Sequence, residues 1–292
     1  MSTEPPPLAP LGPDDVPGAL ELSRAASWNQ NEADWRMMLA LGRGWCIRSF
    51  DGASRARLAA SIVVLPYGDA FAWVSMVLVL PEFRGRGFAS RLLRHALAEL
   101  GRVGLGAVLD ATPAGRPVYV QEGFVDSWGF RRYRRESATR AASGAGASSP
   151  ELRPLREPDW PAIAALDRPA FGADRMPLLR RLAQRLPQAA HVAVRDGAVV
   201  GFVLGRDGRE AAQVGPLVAE DPRAARTLLD AALARVDGPV YVDATDGQPE
   251  LLAAIAERGF VLQRPFTRML HALERAPGDA SRIFLVAGPE LG

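Results

Sequence analysis

Residues 77–90 hold the clearest chemical signal in this sequence: a hydrophobic stretch, a proline, a glycine-rich turn and the start of an amphipathic helix. Gly85 and Gly87 allow backbone conformations that a Cβ forbids, and they let the main chain approach a ligand closely. The free N–H groups and the dipole of the first helical turn then create a site for an anion such as a pyrophosphate. Arg84 and Arg86 can add positive charge, so the segment predicts phosphate binding.

A Gly-x-Gly sequence before a helix is a weak signal alone, because a tight strand-to-helix turn without a ligand has the same pattern. A Walker-type loop is excluded, since no Gly-Lys-Ser/Thr follows, and the dinucleotide fingerprint lacks its third glycine. The full pattern is longer: a hydrophobic strand, a proline, Arg-Gly-x-Gly-x-Ala, and then Leu92 and Leu93. This pattern resembles the GNAT superfamily of acyl-CoA-dependent N-acyltransferases.

The resemblance implies that acetyl-CoA is the co-substrate, and that the backbone of the strand before the loop hydrogen-bonds its pantetheine arm. The same strand is expected to offer a backbone N–H to the thioester carbonyl, which the acceptor amine attacks directly. No metal is implied. The predicted cofactor-binding residues are Val77, Leu78, Val79, Arg84, Gly85, Arg86, Gly87, Phe88, Ala89 and Ser90.

Residues 119–124 read Tyr-Val-Gln-Glu-Gly-Phe and match the Tyr-x-x-x-Gly-Phe of the same family. The match implies that Tyr119 protonates the departing CoA thiolate. A phenol suits this role, because its pKa of about 10 lies above the roughly 8.5 of a typical thiol. The alternative role is a tyrosine that packs on the sheet.

The acceptor amine has to lose a proton, and Asp110, at the end of a predicted strand near the expected cleft, is the predicted base. Glu32 and Asp34, in the segment that lines the acceptor side in this family, are alternatives. Capping or turn formation is the competing role for Asp110, because Asp243 repeats it in the second half. The residues predicted to line the acceptor pocket are Trp28, Asn29 and Gln30.

The two halves of the chain resemble each other in sequence. Three short motifs recur in the same order: Leu-Leu at 92 and 228, Asp-Ala-Thr at 110 and 243, and Gly-Phe at 123 and 259. We therefore predict a mixed α/β fold of two tandem GNAT-like domains, each a largely antiparallel sheet with a crossover helix. The predicted parts are a catalytic domain at 1–138, a linker of small and polar residues at 139–150, and a degenerate domain at 151–292.

The second domain is predicted to be degenerate because it lacks the loop. Glu220 and Asp221 place negative charge where the pyrophosphate would lie, Pro222 removes a donor, and Ile255 stands at the tyrosine position. Whole-chain features, including the ending 288–292, are similar to bacterial tandem GNAT proteins. The apolar stretch 283–287 is predicted to be a strand paired within the fold.

Composition narrows the class of protein further. The formal net charge is +2, and all 35 basic residues are arginine, so the basic character is no argument for nucleic-acid binding. We interpret the cluster at 131–135 as a solvated strand face. Cys46 is the single cysteine and the three histidines lie far apart, which argues against a metal site. We expect a cytoplasmic monomer or homodimer that acts on a small-molecule amine, without membrane or nucleic-acid partners.

Two functions from other classes remain open at this stage. One is a non-catalytic acyl-CoA sensor, which would share the loop without needing Tyr119. The other is a structural protein built from paired GNAT-like domains, which would have no need for Gly85 and Gly87.

Overall fold

The computed structural model describes residues 6–50, 56–136 and 150–292, so most of the predicted linker at 139–150 lies outside the described residues. The helices are α1 (Val16–Ala25), α2 (Glu32–Leu41), α3 (Phe88–Arg102), α4 (Arg116–Gln121), α5 (Trp160–Phe171), α6 (Met176–Arg185), α7 (Pro222–Leu233) and α8 (Pro249–Glu257). The strands are β1 (Leu8–Leu11), β2 (Arg43–Phe50), β3 (Ala56–Tyr67), β4 (Phe71–Val79), β5 (Gly106–Ala111), β6 (Val125–Arg135), β7 (Glu151–Pro154), β8 (His191–Arg195), β9 (Ala198–Arg206), β10 (Ala212–Ala219), β11 (Val240–Thr245), β12 (Val261–His271) and β13 (Ile283–Leu285).

All of these strands form one continuous sheet, in the order β1-β2-β3-β4-β5-β12-β6-β11-β13-β10-β9-β8-β7. Only two neighbouring pairs among the described strands run parallel, β4 with β5 and β10 with β11, and a crossover helix connects each of them. The predicted fold class, a mixed α/β arrangement with a largely antiparallel sheet, is confirmed.

The two halves exchange a strand at the centre of this sheet. β12, from the second half, lies between β5 and β6 of the first half, and β6 in turn pairs with β11 of the second half. The boundary predicted near residue 139 therefore divides the chain but not the sheet. In each half, the second strand of the parallel pair takes its next neighbour from the other half: β5 is followed by β12, and β11 by β6.

Helix α3 follows the amphipathic pattern predicted for it. Its buried positions are Phe88, Leu92, Leu93, Ala96 and Leu100. They recur every three or four residues, so one stripe of the helix packs on the sheet and the other faces solvent. The helix in this way sets the position of the glycine loop relative to β4.

The stretch 16–41 forms two separate helices, α1 and α2. Ser27 has a positive φ of 53°, which ends α1. Asn31 caps α2: its side-chain oxygen accepts from Asp34 N at 3.1 Å, and its own N–H donates to the Asp34 carboxylate at 3.0 Å. This reciprocal capping box fixes a separate start for the second helix.

We expect the halves to fail to fold as separate chains. A fragment ending at residue 136 lacks β12 and leaves the buried Asp110 side chain without its partner Arg268, a loss that typically costs about 3–5 kcal/mol. Circular dichroism melts should show no cooperative unfolding for fragments 1–136 or 137–292 alone. When the two fragments are co-expressed, they should form a 1:1 complex that unfolds cooperatively. A full-length chain nicked within 139–149 is the control and should melt like the intact protein. Cooperative unfolding of an isolated, monomeric first fragment would contradict this expectation.

Candidate functional site

A cleft opens in the first half where β4 and β5 separate. The two strands pair only through Phe71–Trp73 and Gly106–Val108, and beyond that point β4 keeps its ladder with β3 alone. Val77 and Val79 are half-buried there. The Asp110 side chain is fully buried while the residue as a whole is half-exposed, so its main chain is what remains accessible. At Asp110, therefore, the accessible part of the cleft wall is main chain.

A β-bulge in β4 lies at the mouth of this cleft. Ser61 pairs with Leu78 and Val63 with Ser75, so Ile62 alone faces two residues of β4, Met76 and Val77. Met76 has a φ of 52°, and its carbonyl accepts a 2.8 Å hydrogen bond from Ser61 Oγ. A bulge bends a strand and turns its main-chain groups away from the ladder. This one turns the end of β4 away from β5.

The glycine loop leads from β4 into α3 in the conformation that the sequence predicts. Gly85 and Gly87 have φ of 73° and 72°, and a Cβ at either position would meet nothing within 4 Å. Gly87 is the N-cap, and no side chain caps the helix. The exposed Arg84 and Arg86 flank the turn, and their guanidinium groups donate to Val79 O and Glu82 O. The uncapped N–H groups and the dipole of α3 make this turn a place where an anion can bind.

The three residues after Gly87 have different environments. Phe88 is buried in the core, so only its main chain can serve a ligand at the loop. Ala89 and Ser90 are half-buried, and the Ser90 side chain helps to lower the pKa of the Glu122 carboxyl. Leu78 is likewise buried in β4, so its backbone is the part that can serve a ligand.

Tyr119 lies half-buried on the short helix α4, with its ring 6.0 Å from that of Phe124. Arg94 on α3 donates to both oxygens of Glu122, at 2.7 and 2.8 Å. This bidentate pair ties the end of α4 to the helix that begins at the glycine loop. Burial raises the pKa of the Tyr119 phenol, which keeps the hydroxyl protonated and able to donate.

The carboxylates predicted as candidate bases all have partners. Arg268 of β12 binds both oxygens of Asp110, at 2.9 and 3.0 Å, so the structure assigns this aspartate to an ion pair rather than to a free base. Asp34 is buried against Arg185 and Arg206. Glu32 is exposed and pairs with Arg36 one turn along α2.

Of the three predicted acceptor residues, Asn29 binds the second half of the chain through its side chain, whereas the side chains of Trp28 and Gln30 do not. Asn29 donates to Ala211 O at 2.9 Å and accepts from Glu210 N and Ala211 N, so its amide holds the second half and is not free for a ligand. The Trp28 carbonyl accepts from Arg209 in the same contact, while its side chain is half-buried. Gln30 is buried, and its Oε1 has no hydrogen-bond partner among the described residues.

The equivalent cleft of the second half is filled by the chain itself. β10 and β11 pair in parallel only through Ala212–Val214 and Val240–Val242, and β13 then lies between them. This confirms the predicted pairing of the stretch 283–287. The chain continues to the first half, where Trp73 Nε1 donates to Pro289 O at 3.0 Å.

The N-terminus of α7 is occupied as well. The Asp221 side chain accepts from Ala224 N at 2.8 Å and pairs with Arg195 at 2.7 Å. A carboxylate of the chain thus sits where α3 leaves its N–H groups uncapped, and it would repel a phosphate at this helix.

Sequence reasoning missed the charged residues carried by the exchanged strands. Arg132, predicted to lie on a solvated strand face, is buried and binds Asp243. For Arg268, which binds Asp110, the sequence pattern led to no prediction. The signal was present, since Phe-x-Arg occurs at 130–132 and again at 266–268, at the same distance from the repeated Gly-Phe motif at 123 and 259. Only the strand exchange shows that each arginine pairs with the aspartate of the other half.

Two sequence models of the GNAT superfamily match the chain: "Acetyltransferase (GNAT) family" at residues 20–124 and "Acetyltransferase (GNAT) domain" at 163–285. The matches, one in each half, agree with the duplicated fold and with the separated parallel strands. The chain therefore belongs to the GNAT acetyltransferases, in a tandem arrangement.

Individual relatives support the same assignment. The chain is 24% identical over 254 residues, 87% of each sequence, to the Bacillus subtilis (strain 168) protein named "Uncharacterized N-acetyltransferase YitH". A putative acetyltransferase from Pyrococcus horikoshii has a similar structure, with TM-score 0.78 and 19% identity over 100% of this chain and 98% of that one. A tandem GNAT protein from the clavulanic acid biosynthesis pathway gives TM-score 0.62 and 19% identity over 91% and 98%. At 19% identity, the two structures support the fold assignment alone.

Two kinds of feature are absent from the part of the chain that the structure describes. Within 6–50, 56–136 and 150–292, no helix is long and apolar enough to cross a membrane. The same ranges contain no group of three or more histidine, cysteine and acidic residues placed to hold a metal ion.

The raised tyrosine pKa values predict how stability depends on alkaline pH. Burial raises the pKa of Tyr67 and Tyr119, so the folded chain keeps protons that the unfolded chain releases above about pH 10. The stability from this source is complete below that pH and falls as the pH rises through it. Urea denaturation between pH 8 and 11 should show a shallower fall for Tyr119→Phe than for the wild type. Identical slopes would contradict burial of this phenol.

Proposed function

We propose that this protein is a cytoplasmic N-acetyltransferase that moves the acetyl group of acetyl-CoA to a primary amine, and that acetyl-CoA binds in the first half alone. The asymmetry of the two clefts carries the proposal. In the second half an extended strand of the chain, β13, occupies the gap between the parallel strands. In the first half the same gap has accessible backbone and leads to an uncapped, arginine-flanked helix N-terminus.

The residues of the first half fit acetyl-CoA, the co-substrate that GNAT enzymes use in general. The loop 84–89 and the start of α3 would hold the pyrophosphate through backbone N–H groups, with Arg84 and Arg86 beside them. The backbone of Val77–Val79 would hold the amide-bearing pantetheine arm, as β10 holds β13 in the second half. Acetyl-CoA supplies the acetyl group as a thioester.

Tyr119 would donate its phenolic proton to the departing thiolate. The phenol of a tyrosine is protonated at neutral pH, so Tyr119 carries a proton that the thiolate can accept. Asp110 is not assigned as the base, because Arg268 binds both of its oxygens. The amine acceptor would be a small molecule that meets the thioester on the face of the sheet where Trp73 and Asp110 lie.

Isothermal titration should give one acetyl-CoA site per chain, because the second cleft is filled. Absence of binding at millimolar acetyl-CoA would refute the proposal. Two sites per chain would refute the assignment to the first half. Binding without turnover on any primary amine would favour a non-catalytic acyl-CoA sensor.

The matched variants Gly87→Ala and Gly104→Ala localise this site. Both glycines have nearly the same φ, 72° and 73°, and a Cβ at either would meet nothing within 4 Å, so the conformational cost of alanine is similar at both. Only Gly87 lies where backbone would approach the pyrophosphate. We expect the acetyl-CoA Kd to rise about tenfold or more for Gly87→Ala and to stay within about twofold for Gly104→Ala. Equal effects would mean that the loop does not contact the ligand.

Tyr119→Phe tests the proposed proton donor. We expect kcat to fall about 100-fold, as loss of a general acid typically does, while the acetyl-CoA Kd changes less than about twofold. Tyr133→Phe, which removes a hydroxyl on β6, is the control and should keep wild-type kcat. A weakened Kd with unchanged kcat would assign Tyr119 to packing instead.

A further inference from the structure

The duplicated fold contains two nearly equivalent ion pairs at its centre. Arg268 of β12 binds Asp110 of β5 at 2.9 and 3.0 Å, and Arg132 of β6 binds Asp243 of β11 at 2.8 and 2.7 Å. In both pairs the arginine side chain is 4% exposed and the aspartate side chain 0%. Each pair joins a parallel strand to the strand received from the other half.

The second pair has additional hydrogen-bond partners from the chain itself. Asp243 accepts a third hydrogen bond from Gln213 at 3.0 Å, and its main-chain oxygen accepts from Val286 N at 3.0 Å. Gly215, across the gap, makes room for this segment, because a Cβ there would lie 2.2 Å from Val286 O. The chain's own residues thus fill the space on both sides of the aspartate.

The first pair lacks these additional partners among the residues that the structure describes. The register Trp73 with Val108 places Ser75 opposite Asp110, on the same face of the sheet, across the gap between β4 and β5. Ser75 stands at the level of Gly215, and its Oγ is buried without a hydrogen-bond partner within the described ranges. Buried hydroxyls are normally bonded, so this one indicates the position of a ligand atom or a water.

Arg268 also organises two indole rings on this face. Its guanidinium carbon lies 4.4 Å from the ring centroid of Trp73 and 4.0 Å from that of Trp128. The Trp128 Nε1 is a second buried group without a partner in the described part of the chain, although the residue itself is half-exposed. A row of side chains therefore crosses β4, β5, β12 and β6: Ser75, Asp110, Arg268 and Trp128. The atoms at its two ends, Ser75 Oγ and Trp128 Nε1, have no hydrogen-bond partner in the described part of the chain.

We propose that Arg268 is a positioning residue for the acceptor side of the first half's cleft, supplied by the second half. It holds Asp110 and contacts the rings of Trp73 and Trp128, and the row that results lies beneath the surface on which the acetyl group and the amine meet. This inference rests on the proposed acetyl transfer. It gives the degenerate second half a direct part in the reaction of the first.

The internal duplication supplies the control. Asp110→Asn/Arg268→Met neutralises the first pair, and Asp243→Asn/Arg132→Met neutralises the second. Because both double variants remove charge from equally buried pairs, their losses in melting temperature should be similar. The double form avoids leaving a single buried charge, which would endanger folding.

Two readouts separate positioning from a merely structural role. The first is the ratio of the CoA Kd to the acetyl-CoA Kd from isothermal titration, which reports on the acetyl end and needs no acceptor. The second is kcat/KM for the best substrate among a polyamine, an arylalkylamine, an amino acid and a peptide with a free N-terminus. We expect the first-pair variant to change the ratio at least fivefold and to lower kcat/KM at least tenfold, mainly through the amine KM. The second-pair variant should stay within twofold in both.

Other outcomes of these measurements would contradict the role of Arg268, the proposed function, or both. Equal losses in both double variants would reduce Arg268 to a structural residue, and an unchanged ratio and kcat/KM in the first-pair variant would overturn the proposal outright. A wild type that binds neither CoA nor acetyl-CoA would refute the proposed function and this inference with it. If the wild type binds acetyl-CoA and no amine reacts, the Kd ratio alone decides. Arg268→Lys, which keeps the charge but not the two-pronged hydrogen bonding, should leave the ratio near that of the first-pair variant.

Discussion

The exchange of β6 and β12 between the halves is the constraint on which the rest of the structure depends. It places β6 beside β11 of the second half and β12 beside β5 of the first, and a buried bidentate aspartate–arginine pair fixes each crossing. Removing one partner of such a pair leaves an uncompensated charge in the core, so the two halves are held in one register. The sheet is continuous because neither half completes its own edge.

This shared centre explains how one half can change while the other keeps its chemistry. The second half retains the separated parallel strands but fills the gap with β13, and Asp221 caps the helix that would otherwise meet a phosphate. Charge at the neighbouring helix contact is reversed as well: Arg94 with Glu122 in the first half corresponds to Asp230 with Arg258 in the second. The frame is preserved because packing requires it, whereas the ligand-facing groups are not.

The second half also contributes beyond simple support. The segment that leaves β13 reaches the first half, where Tyr67 donates to Leu291 O at 2.6 Å. Arg206 of β9 pairs with Glu290 of this segment and also with Asp34 of α2. Asn29 reaches in the opposite direction to the loop before β10. These contacts lie beside the proposed acceptor face of the first half, so the shape of this face depends on the whole chain.

The sequence by itself determined the fold class, the glycine loop, the amphipathic α3 and the strand 283–287, because these depend on local backbone freedom and on hydrophobic spacing. It also indicated the duplication. Only the tertiary structure decided that Asp110 is an ion-paired side chain, that Asn29 clamps the halves together and that Arg132 is buried. The physical reason is that each of these partners lies more than a hundred residues away, and the exchange of strands, which no local pattern encodes, brings them into contact.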